Sequence, residues 1–173
     1  ISVPAGIVKE ARETDRLSGL IVLGDIDPAA RPELLQCRDC HVPVVLVNSD
    51  MQGVGRVCCV QAENYLLGKI IGEILVRQTP GGGNLLVCAG EATTPANAAS
   101  VRGIEDYIHE HGAGRKAYKL YYGYTLEERC KLRKELRTYL AEQPDIACCC
   151  SVTARGSVEL ACALEESGLA GKL

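Results

Sequence analysis

The stretch "SGLIVLGDIDPAARPELLQCRDCHVPVVLVNSD", residues 18–50, decides the fold class. It contains two short apolar runs, "LIVLG" (20–24) and "VPVVLV" (42–47), of the kind found in strands buried on both faces of a parallel sheet. Between them, Asp27-Pro28 is a typical helix start, with aspartate as the N-cap and proline at the first helical position. The stretch therefore predicts a strand–helix–strand unit.

The same alternation of strand and helix continues along the chain. Further short apolar runs, which predict strands, span residues 56–60, 84–90, 117–123 and 146–152. Amphipathic segments that predict helices span residues 64–78, residues 95–112, a segment that begins at the capping box Thr125–Glu128, and residues 155–168. Repeated strand–helix units with right-handed crossovers predict an α/β fold with doubly wound parallel sheets.

The helix predicted over residues 64–78 carries a continuous apolar stripe. Five side chains at helical spacing form it: Leu67, Ile70, Ile71, Ile74 and Leu75. This pattern is typical of a helix that packs one face on a core. Asn64 is the expected N-cap, and Pro80-Gly81 is expected to end the helix.

Composition and charge exclude several classes of function. With 47% hydrophobic and 24% charged residues among 173, the chain has the composition of a soluble globular protein. A net charge of -3 does not indicate the basic surface that nucleic-acid binding requires. No apolar run is long enough to cross a bilayer. Because the sequence begins at Ile1 without a methionine and stops soon after a helix, we expect an internal piece of a longer protein.

Ten cysteines are the unusual feature of the composition. Most lie inside apolar runs such as "RVCCVQ" and "IACCCSV", where a free cysteine behaves as a small buried hydrophobic residue. So many thiols invite mispairing in an oxidising compartment, and adjacent cysteines are poor disulfide partners. The composition therefore favours the cytoplasm, with the periplasm or the extracellular space as the alternative.

The run "CRDCH", from Cys37 to His41, has the spacing of a c-type haem attachment signature. The alternatives are a zinc or redox site and a simple helix end. No second ligand pair follows at matching spacing, and the run leads directly into the strand at 42–47. We therefore expect Cys37 to pack against the sheet, and Cys40 and His41 to lie in the turn between helix and strand.

No arrangement of residues indicates catalysis or a cofactor. His109 and His111 end a predicted helix without further metal ligands, and "PGGGN" (80–84) lacks the Lys-Ser/Thr of a phosphate-binding loop. No Ser-His-Asp order or pair of carboxylates stands out. We predict a ligand-binding protein that is not an enzyme and that has no catalytic residues, metal or cofactor.

Ligands of doubly wound sheets bind beyond the carboxyl ends of the strands. The residues that follow the predicted strands are therefore the candidates for ligand contact. They are Asp25, Asn48, Ser49, Asp50, the segment 91–100 with Thr94 and Ser100, Tyr124, and the segment 153–155 with Thr153. For Asn48 and Thr153, the alternative role is to cap the turn or helix that follows.

Four stretches, taken in order, resemble one family of proteins. Residues 18–50 resemble a strand–helix–strand segment of bacterial sugar-binding proteins and Lac-repressor-type regulators. "VQAENYLLGKIIGEIL" (60–75) resembles their Asp-Asn-Tyr-x-x-Gly helix, and "TTPANAASVRGIEDYIHEHG" (93–112) resembles their x-x-Arg-x-x-Gly-Phe helix. Residues 142–173 resemble their His-Pro-Asp-Leu strand with its following helix, so the resemblance covers nearly the whole chain.

The resemblance implies a two-lobed periplasmic-binding-protein-like type I fold, which closes on a small ligand like a hinged clamp. Residues 1–62 are then part of the N-terminal lobe, and residues 63–173 are most of the C-terminal lobe. The first strand–helix unit and the segments that return after Leu173 would be missing. The fold is thus expected to be incomplete at both ends.

The family's ligand positions map onto individual residues of this chain. Asn48 stands where the family typically has an aspartate that accepts sugar hydroxyls, and Ser49 and Asp50 follow it. Tyr124 matches a position that often carries an aromatic ring packed on the sugar. These residues are expected to contact a carbohydrate.

Two other positions depart from the family pattern. Ser100 replaces an arginine two residues before the Arg102-Gly103 pair, and Thr153-Ala154 replaces an Asn-Asp pair. Small neutral groups thus stand where charged ones often bind sugar hydroxyls, and the chain contains no Phe or Trp. These departures leave open a less polar or larger ligand, or a degenerate site.

Three classes of function fit the resemblance. The first is the effector-binding core of a Lac-repressor-type transcription regulator, a homodimer that contacts DNA only through an N-terminal module outside this sequence. The second is the exported, monomeric substrate-binding protein of a sugar ABC transporter, and the third is an enzyme or a sensor module fused to a kinase. The cysteines and the stretch "VTARGSVELACAL" (152–164) favour the first, with a small carbohydrate-like effector and no membrane contact.

Overall fold

A computed structural model describes residues 2–13, 17–123 and 125–173 of the chain. The chain forms two compact units, unit 1 (Ile1–Ala62) and unit 2 (Glu63–Leu173). The division falls between Ala62 and Glu63, and the assignment of these units to the two lobes stays a prediction. All strand pairs among the described residues are parallel, which confirms the predicted α/β fold with parallel sheets.

Unit 1 packs two helices on one face of a small sheet. Its elements are β1 (Ser2–Val3), α1 (Ala5–Arg12), β2 (Leu20–Leu23), β3 (Asp25–Ile26), a 3-10 turn (Pro28–Ala30), α2 (Arg31–Asp39), β4 (Val44–Val47) and β5 (Cys58–Val60). Strands β2, β4 and β5 form one sheet in that order, and β1 pairs with β3, which contains Asp25. The core contains Val22, Val44 and Leu46 of the sheet together with Leu34 and Cys37 of α2.

The opposite face of the β2-β4-β5 sheet is open among the described residues. Ile21 and Leu23 of β2 and Cys58 and Val60 of β5 are exposed there. The register places Ile21 level with Val45 and Cys58, so apolar side chains run across all three strands. Sequence analysis predicted that these strands are buried on both faces. The structure buries the face that packs on the helices and leaves the other face open.

Unit 2 places helices on both faces of a parallel sheet. Its elements are α3 (Asn64–Gln78), β6 (Asn84–Gly90), α4 (Pro95–His111), β7 (Ala117–Tyr121), α5 (Leu126–Glu142), β8 (Ile146–Ser151) and α6 (Ala154–Glu166). The strand order is β7-β6-β8. Leu85 and Val87 of β6 pack with residues of α3 and α4, whereas Leu86 and Cys88 pack with residues of α5 and α6. This alternation is the predicted doubly wound arrangement.

The packing of α3 differs from the prediction. Three members of the predicted apolar stripe are 42%, 47% and 52% exposed, namely Leu67, Ile70 and Ile74. The buried face instead contains Gly68 and Gly72, which face α4. A Cβ on Gly68 would overlap the carbonyl oxygen of Ser100, so the glycines permit a close helix–helix contact that the apolar pattern did not reveal.

Helix starts follow local hydrogen bonding. Glu63, not the predicted Asn64, caps α3, because its carboxylate accepts a hydrogen bond from the Leu66 N–H. The predicted capping box of α5 is confirmed, with the Thr125 hydroxyl and the Glu128 carboxylate each accepting from the other's backbone N–H. Helix α1 was not predicted, and no capping side chain marks its start.

Candidate functional site

Asn48 and Ser49 lie at the carboxyl end of β4, as the sequence predicts. Asn48 has a left-handed backbone (φ 73°), which asparagine adopts more readily than most residues, and its N–H donates to the Val60 carbonyl (2.9 Å). Asn48 is exposed and Ser49 is half-buried. Asn48 thus presents a carboxamide, which both donates and accepts hydrogen bonds, at the edge of the sheet.

The carboxylate of Asp50 is bound by other side chains of unit 1. Its Oδ2 accepts a hydrogen bond from Arg56 Nη2 (2.7 Å), and its Oδ1 lies 2.5 Å from Arg56 Nε. The Gln52 side chain also donates to Oδ2. Between them, Gly53 and Gly55 have positive φ and allow the loop to fold back. Asp50 therefore holds the loop 50–56, and its charge is balanced by Arg56.

The carboxyl end of β6 forms the centre of the candidate site in unit 2. Strand β6 lies between β7 and β8, and the helices that follow β6 and β7 pack on opposite faces, a reversal that opens a crevice at this end. Gly90 ends the strand with φ 69°, and Glu91 and Thr94 follow it. A Cβ on Gly90 would lie 2.6 Å from Asn97 Nδ2 and 2.8 Å from Thr153 Cγ2, so the glycine lets these side chains converge.

Three hydroxyl groups meet beside this crevice; we call Tyr122, Ser151 and Thr153 the hydroxyl cluster. Thr153 is the N-cap of α6, and its Oγ1 accepts from the Gly156 N–H (3.0 Å) and shares a hydrogen bond with the Tyr122 hydroxyl. Ser151 Oγ donates to the Thr153 carbonyl (2.9 Å). A Cβ on Gly156 would overlap the Tyr122 and Ser151 hydroxyl oxygens, so only glycine leaves room for the cluster.

The hydroxyl cluster extends the predicted site. Sequence analysis selected Thr153 but not Tyr122 or Ser151. Tyr122 belonged to the strand predicted over residues 117–123, whereas β7 ends at Tyr121 and leaves Tyr122 at the sheet edge. Ser151 is the last residue of β8 and lies two residues before Thr153, inside the strand predicted over residues 146–152. The structure also shows Thr153 in the capping role that the sequence left as its alternative.

The remaining predicted contacts lie in different environments. Thr94 is the half-buried N-cap residue of α4, and its side chain makes no capping hydrogen bond. Ser100 is buried where α4 meets Gly68 of α3, behind the sheet edge. Tyr124, the predicted aromatic contact, lies outside the described residues. The structure therefore brings Thr94 and Thr153 to the same end of the sheet and keeps Ser100 in a helix contact.

A shallow cleft of about 360 Å³ lies at the ends of β6 and β7 in unit 2. Glu91, Tyr121 and Gly123 line it together with Glu128 and Lys131 of α5. The hydrogen bond from the Thr125 hydroxyl, together with the one from its backbone N–H, holds the pKa of the Glu128 carboxyl below its usual range. Glu128 is therefore an anion at neutral pH, and it also caps α5.

The "CRDCH" run forms a helix end, as predicted. Cys37 is buried in the core of unit 1, and Cys40 is the exposed C-cap of α2. The His41 backbone is left-handed (φ 60°), its N–H donates to the Arg38 carbonyl, and the Val42 N–H donates to the Cys37 carbonyl (2.8 Å). These bonds form a Schellman motif, which satisfies the last carbonyls of the helix.

Burial keeps several of the thiols protonated. Burial raises the pKa of Cys88, Cys149 and Cys150 to about 12, so these thiols are protonated at neutral pH. Burial also raises the pKa of Cys37. Within the described ranges, no three His, Cys, Asp or Glu side chains come together as a group that could hold a metal ion.

The fold and the polar strand ends define an α/β domain of the ligand-binding type. The family model of the periplasmic binding protein domain matches residues 16–173. The chain belongs to this family, which confirms the predicted relationship and the periplasmic-binding-protein-like type I fold. It is a family of ligand-binding proteins.

Solved structures of sugar-binding proteins share this fold. GanP, a glucose-galactose binding protein from Geobacillus stearothermophilus, matches 97% of the chain at 23% identity with a TM-score of 0.77. The sugar-binding protein of a sugar ABC transporter from Bacillus halodurans matches 98% at 14% identity with a TM-score of 0.83. A solute-binding protein of an ABC transporter from Agrobacterium vitis, solved with bound D-fucose, matches 98% at 18% identity with a TM-score of 0.76.

The chain spans just over half of each of these proteins. It covers 59%, 57% and 58% of their respective lengths. A comparison with curated proteins finds no match. In the part of the chain that the structure describes, no helix combines the length and the apolar character needed to cross a membrane.

Proposed function

We propose that the chain binds a small, sugar-like molecule at the carboxyl ends of its parallel strands, as the effector-binding core of a Lac-repressor-type regulator. The observation that carries the binding role is the polar lining of these strand ends. Asn48 offers a carboxamide in unit 1, and Thr94 and the hydroxyl cluster offer hydroxyl groups in unit 2. Because Arg56 balances the charge of Asp50, the polar groups at the end of β4 suit a neutral polyhydroxylated ligand.

The cysteines support the regulator within this family. All ten are free thiols, and Cys88 is fully buried in the central strand of unit 2. A cytoplasmic protein keeps such thiols reduced, whereas an exported protein would face mispairing. We therefore propose a cytoplasmic location and a homodimer in which ligand binding changes the affinity of a separate N-terminal module for DNA. Such a role involves ligand binding and no catalysis.

The second candidate is the substrate-binding protein of a sugar ABC transporter. The solved proteins from Bacillus halodurans and Agrobacterium vitis support it, because both belong to ABC transporters. The coding sequence upstream of Ile1 separates the two candidates. A basic helix-turn-helix segment would support the regulator, and a signal peptide would support the transporter protein.

The binding role is tested by calorimetric titration of the chain with a panel of neutral monosaccharides. We expect at least one to bind, and Asn48→Ala to weaken that binding roughly tenfold through the lost carboxamide hydrogen bonds. Gln78→Ala is the matched control, because Gln78 is an exposed amide at the end of α3 that precedes β6, away from the strand ends. Equal affinities of the wild type and Asn48→Ala would remove Asn48 from the site, and no binding by any sugar would contradict the proposal.

A further inference from the structure

Strand β7 is an edge strand with unpaired backbone groups. In the order β7-β6-β8, β6 pairs with one side of β7, and no described strand pairs with the other side. The Leu85 N–H donates to the Lys116 carbonyl, and the Tyr122 N–H donates to the Gly90 carbonyl. Even-numbered residues of this segment therefore point their backbone groups toward β6. By alternation, the N–H and C=O groups of Ala117, Lys119 and Tyr121 point outward.

A groove runs beside this free edge, between β7 and α5. Its volume is about 570 Å³, and it is lined by Leu120, Lys131, Lys134, Glu135, Thr138 and Tyr139. Leu120 and Tyr139 are half-buried and join the apolar cluster beneath the helix, so the floor of the groove is apolar. We call this feature the β7 groove.

The rim of the β7 groove is positively charged. Lys131 and Lys134 lie on it with a single carboxylate, Glu135, whose Oε1 is 3.6 Å from Lys131 Nζ. Edge strands are often protected from pairing by charged side chains, lysine in particular. Here Lys119, the central residue of the edge, is ion-paired with Glu105 of α4 on the opposite side of the sheet. The charge of Lys119 therefore lies on the face of the sheet opposite to the groove.

We propose that the β7 edge and the β7 groove bind an extended segment of a partner protein that presents apolar and acidic side chains together on one of its faces. The segment would add to the sheet as a further strand and pair with the outward backbone groups of Lys119 and Tyr121. Its apolar side chains would cover Leu120 and Tyr139, and its carboxylates would lie near Lys131 and Lys134. The charge of the rim selects an acidic segment over a basic one.

The experiment uses a blocked synthetic hexapeptide, Glu-Thr-Val-Thr-Glu-Thr, which places glutamate and valine on one face of a strand, with Lys-Thr-Val-Thr-Lys-Thr for comparison. Amide hydrogen exchange of the 173-residue chain is followed by NMR as each peptide is added. We expect the acidic peptide to slow the exchange of the Lys119 and Tyr121 amides. The amides of Tyr118 and Leu120, which already face β6, should not change, and the basic peptide should bind at least about fivefold more weakly.

Two variants test the charge and the edge separately. Lys134→Glu, an exposed substitution on α5, should weaken binding of the acidic peptide roughly fivefold, whereas Lys9→Glu, the same change on α1, should not. Lys119→Pro removes an outward N–H and should abolish the protection. Unchanged exchange at Lys119 and Tyr121 in the wild type, or equal affinity for both peptides, would overturn the proposal. Protection that depends on protein concentration without peptide would also overturn it, because a second copy would then occupy the edge.

Discussion

Arg133 of α5 donates two hydrogen bonds to Glu159 of α6 across the contact between the two helices. Its Nη2 and Nε lie 2.7 and 2.9 Å from Glu159 Oε2. Arg129 donates to the other oxygen, Oε1, from Nη2 at 2.8 Å and from Nε at 3.0 Å. The Glu159 side chain is 2% exposed, so a buried carboxylate is satisfied by two arginines that reach solvent.

Replacing Glu159 with alanine should destabilise the chain. The substitution leaves Arg129 and Arg133 against an apolar contact without their shared partner. Because both arginines are about one-third exposed, water compensates part of the loss, and we expect a decrease of about 2 kcal/mol in the free energy of unfolding. Urea unfolding measures it, and Glu165→Ala, an exposed residue of the same helix, is the control. Equal effects of the two substitutions would show that the buried pair contributes nothing.

The same carboxylate predicts a pH dependence. Burial alone would raise the pKa of Glu159, but the hydrogen bonds from Arg133 and Arg129 outweigh it and lower the pKa below the ordinary 4.5. A lowered pKa in the folded state contributes stability above pH 4.5, and this contribution is lost as the pH falls through the folded-state pKa. The free energy of unfolding of the wild type should therefore fall more steeply below pH 4.5 than that of Glu159→Gln. Parallel curves for the two proteins would contradict this assignment.

The glycine contact between α3 and α4 gives a third prediction. Alanine at Gly68 would place its Cβ inside the Ser100 carbonyl, which is rigid backbone. We expect Gly68→Ala to lower the free energy of unfolding by about 3 kcal/mol, despite the better helix propensity of alanine. Gly81→Ala is the control, since nothing lies within 4 Å of its Cβ position. A stabilised Gly68→Ala protein would show that the helices are farther apart than described.

The elements that sequence analysis predicted well are those specified by local interactions. The α5 capping box depends on Thr125 and Glu128, three residues apart, and the "CRDCH" helix end depends on neighbouring backbone groups. The burial of β6 on both faces likewise follows from a continuous apolar run.

Features that depend on distant residues escaped the prediction. The apolar side chains of α3 suggested one buried face, but the helix packs through Gly68, whose importance comes from its approach to Ser100, 32 residues away in sequence. At the candidate site, Thr153 was selected from its place after a strand. Its bond to Tyr122, 31 residues earlier, needed the fold to bring β7 and β8 to opposite sides of β6.

Thiol labelling should follow the burial of the cysteines. Cys40, Cys58 and Cys130 are exposed, and Cys58 lies on the open face of unit 1, so all three should react rapidly with a maleimide at pH 7.5. Cys37 and Cys88 should react only through unfolding, since both are fully buried and burial raises their pKa. Pulsed labelling with mass spectrometry gives the rate at each site. Labelling of Cys88 as fast as Cys40 would contradict its place in the core.

The hydroxyl cluster predicts coupling between Tyr122 and Thr153. Tyr122→Phe removes the shared hydrogen bond and should cost about 1 kcal/mol of unfolding free energy. Thr153→Val removes both that bond and the cap of α6, and it should cost about 2 kcal/mol. Because both substitutions delete the same bond, the double variant should lose less than the sum, by roughly 0.5 to 1 kcal/mol. Thr153→Ser keeps the hydroxyl and serves as the control, and its stability should stay near that of the wild type. Additive losses would mean that the two hydroxyls do not share a bond in solution. Thr153 would then be free of Tyr122 to contact a ligand.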